Sequence, residues 1–458
     1  MKKNKNIFDI ILRHEKDDLI IWSNKTKAYY IVSDKQDEAQ MLEMIETGEC
    51  SSDNQNNQKL FDELKQIGAI GGTRRDIYSK ADNRLMSPLE YYFDYTNVCN
   101  LQCTHCYNRN NMNSDTLEDD QIVRIIKDMY ESGVMRLHLA GGEPTLFPDK
   151  LDIYMKTAKE YGILTSMASN GVCITDEICE ILTRNDVMSI TISIESANEE
   201  ENAKIRGKGS LKDSLDGIVH LAKYKKEHNS NYFIGIKVSY DVDVDPKEFE
   251  DLIKLAIEYN IDVLKFANPE RCVFHERGYY GKKANKYYEN IETVRKLKEK
   301  YDKDLLITQI VSPVTNCLDL GLPNMRGCIG AQELIAINCR GDITPCLMNL
   351  TPLGNIFEID SIRDVYASDL IKDYYKKITD YDCGDCPVHA KCRGGCQVRK
   401  MVEYGKITGI DPLCPIKQNK IKLPKDNNIE NKNDKKDKKD KDKTNDKKLK
   451  KICVLHSL

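Results

Sequence analysis

Short apolar runs alternate with longer amphipathic stretches through the middle of the chain. The amphipathic stretches place apolar residues three or four positions apart, as at Ile122, Ile125 and Ile126, which is the spacing of a helix with one buried face. Strands that alternate with helices form parallel sheets with helical crossovers, so an α/β domain is predicted over residues 86–267. Its six predicted strands cover residues 89–95, 135–140, 163–168, 188–194, 234–240 and 261–267.

The first 85 residues have a different pattern. Short β-branched or aromatic runs at 7–12, 19–22 and 28–32 are separated by polar turns and predict a small antiparallel sheet. Amphipathic stretches at 37–47 and 58–67 then predict two helices. Their expected core residues are Leu42, Ile45, Leu60, Leu64 and Ile67.

Composition narrows the function classes. The chain has 458 residues, too many for one ordinary core, so two or three domains are predicted. Its formal net charge of −4 argues against general nucleic-acid binding, and no apolar run is long enough to cross a membrane. Because the N-terminus has no signal-peptide pattern, the 17 cysteines indicate a reducing cytoplasm and metal ligation rather than disulfides. Residues 417–458 are rich in lysine and aspartate and predict a low-complexity, disordered tail.

Three cysteines follow the first predicted strand of the α/β domain in the pattern C-x₃-C-x₂-C: Cys99, Cys103 and Cys106. Thiolates at these offsets suit a soft metal site. A structural zinc site normally has four protein ligands, so a loop with three leaves one position open. In a cubic [4Fe–4S] cluster the open position is a fourth iron that binds a small molecule. A zinc knuckle that borrows a distant fourth ligand is the alternative.

This loop resembles the signature of the radical S-adenosylmethionine (SAM) superfamily, whose open iron chelates SAM. The resemblance extends to a Gly-Gly-Glu-Pro stretch after the second predicted strand and to polar residues after the third and fourth. It implies a partial (β/α)₆ TIM-like barrel with its active site at the C-terminal ends of the strands. It also implies SAM contacts by Gly141, Gly142, Glu143, Pro144, Ser169, Asn170, Ser193, Glu195 and Arg206. Tyr107 is a further candidate, either near the adenine or in simple packing.

A second cysteine array lies in residues 328–416 and resembles the seven-cysteine motif of SPASM domains, which hold two auxiliary [4Fe–4S] clusters. By this resemblance the outer cluster is bound by Cys383, Cys386, Cys392 and Cys414, and the inner one by Cys328, Cys346 and Cys396. Cys317 is the candidate fourth ligand of the inner cluster. A zinc ribbon is the alternative. Residues 268–327 are expected to bridge the two domains, and their tyrosines either line a cleft or cover a helix.

The order of strands and helices in residues 1–85 resembles the winged-helix fold of PqqD-like recognition elements, which bind the leader of a precursor peptide. A DNA-binding winged helix is the alternative, but 14 lysines and arginines against 15 acidic residues give a poor footprint for DNA.

Together the resemblances imply an oxidoreductase that generates a 5′-deoxyadenosyl radical and crosslinks a ribosomally made precursor peptide, most simply through Cys-to-carbon thioethers as in sactipeptide and ranthipeptide maturation. Such an enzyme needs SAM, three [4Fe–4S] clusters and an electron donor such as flavodoxin or ferredoxin. Because its open cluster would be oxygen-sensitive, an anaerobic or microaerobic host is expected. The alternatives are carbon–carbon crosslinking, an anaerobic sulfatase maturase and an iron–sulfur DNA-binding regulator. Leu347 stands where sulfatase maturases carry an acidic residue, which disfavours that alternative.

Overall fold

The computed structural model describes residues 7–50, 54–79, 85–108, 115–267, 278–310, 328–379, 383, 386, 392–414 and 416–417. Contacts divide the chain into two compact units, one of residues 1–84 with 416–458 and one of residues 85–415. Cys317 and nearly all of the predicted tail lie outside the described residues. Within the described residues no helix is long and apolar enough to cross a membrane.

The first unit is a four-stranded sheet with two helices. Its elements are β1 (Ile10–His14), β2 (Leu19–Ser23), β3 (Ala28–Val32), α1 (Lys35–Thr47), α2 (Gln55–Ile67) and β4 (Arg74–Tyr78). The strands lie in the order β3-β2-β1-β4, with β4 parallel to β1 and the other pairs antiparallel. The three predicted strands and two predicted helices are confirmed. Strand β4 was not predicted, because Ile77 is its only buried residue.

The helices of this unit begin and end at residues suited to those places. The carboxylate of Asp34 and the side-chain oxygen of Asn54 accept backbone N–H groups at the first turns. Gly48 and Gly68 end the helices in the left-handed conformation. The five predicted core residues pack in one apolar cluster between the helices and the sheet, four of them buried and Leu42 half-buried.

The second unit contains one long sheet with helices between most of its strands. The sheet has ten strands in the order β11-β10-β9-β8-β7-β6-β5-β12-β13-β14. The elements are β5 (Glu90–Phe93), α3 (Asp119–Glu131), β6 (Arg136–Leu139), α4 (Pro148–Glu160), β7 (Leu164–Ser169), α5 (Asp176–Arg184), β8 (Ser189–Ser193), α6 (Glu199–Arg206), α7 (Ser210–Glu227), β9 (Phe233–Ser239), α8 (Pro246–Glu258), β10 (Val263–Ala267), α9 (Tyr279–Tyr301), β11 (Leu306–Ile310), β12 (Leu334–Ile337), β13 (Asp342–Thr344), β14 (Gly354–Asn355), α10 (Ile362–Ala367), α11 (Asp369–Thr379) and α12 (Gln397–Tyr404).

All six predicted strands of the α/β domain are present as β5 to β10, and they are parallel. The structure adds a seventh, β11, in the region expected only to bridge two domains. Strand β12 pairs in parallel with β5, so the segment with the second cysteine array continues the same sheet. The tyrosines of α9 pack: Tyr280 and Tyr287 lie in an apolar cluster with Val402 of α12.

The electrostatic environment of His138 indicates that the sheet curves. His138 on β6 is separated from β9 and β10 by two and three strands, so on a flat sheet they would lie about 14 and 19 Å away. Nevertheless Lys265 and Lys237 on those strands act on His138, whose pKa is lowered to about 3, first by burial and then by these two cations. The inner face is therefore the concave face of a partial barrel.

A glycine in α7 sets how closely this helix approaches the turn after β7. A Cβ added at Gly217 would lie 2.0 Å from the carbonyl oxygen of Gly171. On the same helix, the Ser214 hydroxyl donates to the carbonyl oxygen of Asn170 at 2.6 Å. Helix α7 thus holds the turn that carries two of the predicted SAM contacts.

The change in the free energy of unfolding caused by Gly217→Ala therefore distinguishes close packing from helix propensity, because the two predict opposite signs. Propensity alone predicts a gain of about 0.5–1 kcal/mol from alanine in a helix interior. The clash with Gly171 predicts instead a loss of about 1–3 kcal/mol in the free energy of unfolding, measured by urea denaturation under anaerobic conditions. Val219→Ala, at a site 52% exposed on the same helix, is the control and should change stability little. A stabilised Gly217→Ala variant would contradict this packing.

Candidate functional site

The loop with the first three cysteines begins just beyond β5 and is fixed by the backbone of the Gly-Gly-Glu-Pro turn beyond β6. The N–H of Gly142 donates to the carbonyl oxygen of Thr96 at 2.9 Å, and the N–H of Glu143 donates to that of Val98 at 2.7 Å. A Cβ at Gly142 would lie 2.0 Å from the Val98 oxygen, so only glycine allows this approach. Gly141 has a φ of +77°, which also favours glycine.

The three thiols of this loop are half-buried and in no disulfide. The pKa of Cys99 is raised to about 11, mainly by burial and also by Glu143 and the other two thiols, while the N–H of Leu101 opposes the rise. Burial likewise raises the pKa of Cys103, while the Arg206 guanidinium opposes this. The thiols thus influence one another electrostatically, beside a cation that favours their ionised form.

Asp94, at the end of β5, connects this strand to the glycine turn. Its carboxylate accepts the N–H of Ala140 at 2.9 Å and the hydroxyl of Tyr107 at 3.0 Å. Burial raises the pKa of Asp94 to about 7 against these hydrogen bonds. The Tyr107 oxygen in turn accepts the N–H of Gly141 at 3.0 Å. The hydroxyl of Tyr107 is therefore engaged within the protein, next to Cys106.

Glu143 is 1% exposed, and both of its carboxylate oxygens are used within the protein. One oxygen accepts the N–H and the hydroxyl of Thr145 and the hydroxyl of Ser169, and the other accepts the N–H of Asn170. Burial raises its pKa, and these hydrogen bonds oppose the rise. The side chain of Glu143 thus joins the turn beyond β6 to the turn beyond β7.

The turn beyond β7 also contacts the cysteine loop. The Asn170 amide donates to the side-chain oxygen of Asn100 at 2.7 Å, and the Asn100 amide donates to the sulfur of Cys173 at 3.4 Å. Asn100 lies between the first two cysteines of the loop. The predicted contacts Ser169 and Asn170 are thereby brought to the loop.

A buried ion pair holds the loop from the other side. Glu195 lies 2.9 Å from Arg206 Nη2 and 3.1 Å from His105 Nε2, and it accepts the N–H of Ser239 at 2.6 Å. Burial opposes ionisation of Glu195, but Arg206 and His105 outweigh it and hold its pKa well below the usual range. The Thr104 N–H donates to the Ile205 carbonyl oxygen at 2.9 Å. Residues predicted as SAM contacts therefore position the loop through His105.

The second cysteine array is also gathered by backbone contacts. Burial raises the pKa of the Cys328 thiol, and the backbone N–H groups of Gly330 and Gln397, the latter beside Cys396, oppose that rise. The N–H of Ala331 donates at 3.1 Å to the carbonyl oxygen of Pro345, the residue before Cys346. These contacts bring the backbone at the three cysteines assigned to the inner cluster close together.

Asp411 organises the end of this array. It accepts the N–H of Cys396 at 2.6 Å and that of Leu413 at 2.8 Å, and it pairs with the buried Arg399 at 2.5 Å. Burial raises the pKa of the Cys383 thiol, and so do the thiolates assigned with it to the outer cluster, those of Cys392, Cys414 and Cys386. The four thiols therefore lie close enough to interact.

These donors fit iron–sulfur clusters chemically. They are soft thiols, and none of the described cysteines forms a disulfide. Over the described ranges no three Cys, His, Asp or Glu side chains converge on a position for a single metal ion. A cubic cluster needs wider spacing, because each thiolate binds its own iron.

Sequence reasoning missed three residues that position the loop: Asp94, Asn100 and His105. Asp94 ends a predicted strand, but a carboxylate there is also common at an ordinary turn. The other two lie between the cysteines and have no spacing signal of their own. Ser193 was predicted; it ends β8 and pairs in register with Lys237.

Comparison with known families agrees with this geometry. Residues 94–256 match the radical SAM superfamily, and residues 328–392 match the iron–sulfur cluster-binding SPASM domain. These ranges contain the first three cysteines and five of the seven in the second array.

Several characterised proteins are similar over most of the chain. The mycofactocin maturase MftC of Mycobacterium tuberculosis is 24% identical over 74% of this chain and 85% of its own length. The subtilosin biosynthesis protein AlbA of Bacillus subtilis is 25% identical over 73% of each chain. The crystal structure of Streptococcus suis SuiB bound to SAM superposes with a TM-score of 0.65 at 22% identity, over 89% of this chain and 98% of that one.

SuiB has also been solved bound to its precursor peptide SuiA, with the same TM-score of 0.65 at 19% identity. The two domain matches lead to one conclusion: the chain contains a radical SAM domain and a SPASM domain, and it is an enzyme that uses SAM and iron–sulfur clusters.

Proposed function

We propose that this enzyme crosslinks a ribosomally made precursor peptide in a reducing cytoplasm. The observation that carries the proposal is the combination of a radical SAM site, a second gathered cysteine array and a separate N-terminal unit in one chain. The names of two relatives, a maturase and a bacteriocin biosynthesis protein, support a peptide substrate.

In this proposal Cys99, Cys103 and Cys106 hold the cluster that binds SAM. When bound, the cluster and SAM furnish a 5′-deoxyadenosyl radical, which removes a hydrogen atom from an unactivated C–H bond. The protein holds the loop at a fixed place, excludes water and positions one C–H bond of the peptide.

The hydrogen bonds suggest a division of labour among the predicted SAM contacts. Because both oxygens of the Glu143 carboxylate already accept hydrogen bonds from the protein, we assign the amino group of SAM to backbone groups of Gly141 and Gly142. Arg206 uses Nε and Nη2 on Glu195 and offers its remaining N–H groups to the SAM carboxylate. Ser169 and Asn170 orient the turn at which the ribose binds.

The N-terminal unit is the proposed binding site for the leader peptide. Strand β3 is an edge of the sheet, paired on one side with β2 in the described residues. An extended leader can add to such an edge through main-chain hydrogen bonds. The near balance of charge in this unit fits a peptide better than DNA, and the same balance disfavours the iron–sulfur regulator.

The proposed bond is a thioether between a cysteine sulfur and a carbon of an acceptor residue in the peptide. Closing it removes two hydrogens and leaves one surplus electron after the radical step. Auxiliary clusters held by the cysteines of the second array would supply an acceptor for that electron, and a flavodoxin- or ferredoxin-like donor would supply the electron for the SAM cluster. Carbon–carbon crosslinking is the alternative, and Leu347 continues to disfavour a sulfatase maturase.

The cysteine assignment predicts the iron content. Three clusters correspond to about twelve irons per chain after anaerobic reconstitution. Replacing Cys99, Cys103 and Cys106 together by alanine should leave about eight, because the second array is untouched. Iron and sulfide analysis checks this, with the buried Cys179→Ala variant as the matched control at full content. Tightly bound zinc without iron–sulfur absorption would contradict the assignment.

The leader proposal predicts the effect of removing residues 1–84. The shortened chain should still convert SAM to 5′-deoxyadenosine in the absence of peptide, because the barrel is a separate compact unit. Its modification of a full-length precursor, encoded by a neighbouring reading frame, should be strongly suppressed. Mass spectrometry of the peptide measures the outcome. Modification at the full-length rate would show that this unit does not bind the leader.

The proposed bond predicts the mass and reactivity of the product. Each thioether should make the peptide lighter by about two mass units, since two hydrogens are lost. The linked cysteine should also resist iodoacetamide. The same mass loss with a cysteine that is still alkylated would identify a carbon–carbon crosslink instead.

A further inference from the structure

We propose that Lys237 and Lys265 form an anion site on the inner face of the barrel and that this site receives a carboxylate of the peptide. The inference rests on the proposed function for the identity of the substrate and extends it to substrate selection.

The two lysines are neighbours on the concave face. Lys237 on β9 and Lys265 on β10 are paired in register. Side chains alternate along a strand, and Ile236 and Phe266, beside these lysines in sequence, are fully buried apolar residues of the opposite face. Lys265 is only 3% exposed, and Lys237 is half-buried.

Neither ammonium group has a partner among the residues that the structure describes. No hydrogen bond or ion pair there involves Lys237 or Lys265. The nearby carboxylate of Glu195 acts on Lys237 electrostatically, but its oxygens are bound to Arg206, His105 and the N–H of Ser239. Another inner-face cation of this sheet, Arg136, is paired with Glu90 at 3.0 Å.

Two adjacent unpaired cations in a buried place are energetically costly. Each loses hydration, and the two repel one another. Burial and, to a smaller extent, the charge of Lys237 together lower the pKa of Lys265 to about 7. An anion that contacts both groups offsets both effects, since a buried charge is tolerated when it is paired. A carboxylate has two oxygens, one for each ammonium, and adjacent strands lie about 4.8 Å apart.

The position of the two lysines relative to the predicted SAM contacts indicates the source of the carboxylate. Ser193, Lys237 and Lys265 occupy paired positions on three successive strands. Ser193 is a predicted SAM contact, and the lysines continue the row away from it toward β11. The carboxylate of SAM is assigned to the cluster and Arg206, so the lysines lie beside SAM, where a peptide residue has to enter. The anion is therefore an aspartate or glutamate side chain or the C-terminal carboxylate of the peptide.

Protection of the lysines from chemical labelling tests this directly. The full-length protein, reconstituted anaerobically, is labelled with a trace of formaldehyde and a mild borane reductant, and methylation of each lysine is quantified by mass spectrometry. The probes are N-acetylglutamate α-amide for an acidic side chain, N-acetylalanine for a C-terminus, and N-acetylglutamine α-amide as the neutral control. The exposed Lys212 is the internal reference.

At a probe concentration of twice its dissociation constant, mass action predicts about threefold slower labelling of Lys265 and Lys237 by a carboxylate probe and no change with the neutral amide. The carboxylate probe that protects more strongly identifies the source of the anion. Equal protection by the neutral amide, or no protection by either carboxylate, would overturn the proposal. Complete protection by SAM alone, with no further effect of the probes, would assign the lysines to SAM and overturn it as well.

Two variants test whether Lys237 and Lys265 bind the anion jointly. Lys265→Met should abolish carboxylate protection of Lys237. Lys225→Met, which removes a lysine paired with Asp262 at 2.8 Å, should preserve it. Protection of Lys237 that persists in Lys265→Met would contradict a joint site. Labelling reports anion binding and does not require turnover. A failure to form 5′-deoxyadenosine would therefore refute the proposed function, while the labelling would still show whether the two lysines bind an anion.

Discussion

The site depends on a backbone junction between the cysteine loop and the glycine turn. Two N–H groups, of Gly142 and Glu143, donate to the carbonyl oxygens of Thr96 and Val98 at 2.9 and 2.7 Å. The junction has no room for a Cβ at position 142. Because peptide groups make the contact, the distance between the thiols and the turn is set by the chain itself and not by a mobile side chain.

Three buried carboxylates extend this principle around the rim of the barrel. Asp94 accepts an N–H from the end of β6, Glu143 one from the turn beyond β7, and Glu195 one from Ser239 on β9. Each carboxylate therefore fastens the end of one strand to that of another. A rim held in this way is preorganised for positioning SAM and a peptide, as a radical reaction requires. The cost of burying these groups is offset by the hydrogen bonds and by the pairing of Glu195 with Arg206.

The sequence predicted those parts of the molecule that have a local signal. Short apolar runs between amphipathic stretches located the six strands β5 to β10, and cysteine spacing located both arrays. Strand β11 was not predicted, because the long helix α9 provides most of the pattern in its region. Strand β4 was not predicted, because Ile77 is its only buried residue. The connection of β12 to β5 joins residues far apart in sequence and has no local pattern. The lysine pair is a matter of strand register, which depends on tertiary structure.

The central claim, that the Cys99–Cys106 loop holds a cluster that cleaves SAM, is tested most directly by the products of SAM. The anaerobically reconstituted enzyme, reduced with dithionite in the presence of SAM, should release 5′-deoxyadenosine and methionine in equal amounts. The Cys106→Ser variant should release neither while it retains the absorption of the auxiliary clusters. Cleavage by that variant at the wild-type rate, or a wild-type enzyme with full iron content that leaves SAM intact under reduction, would contradict the account.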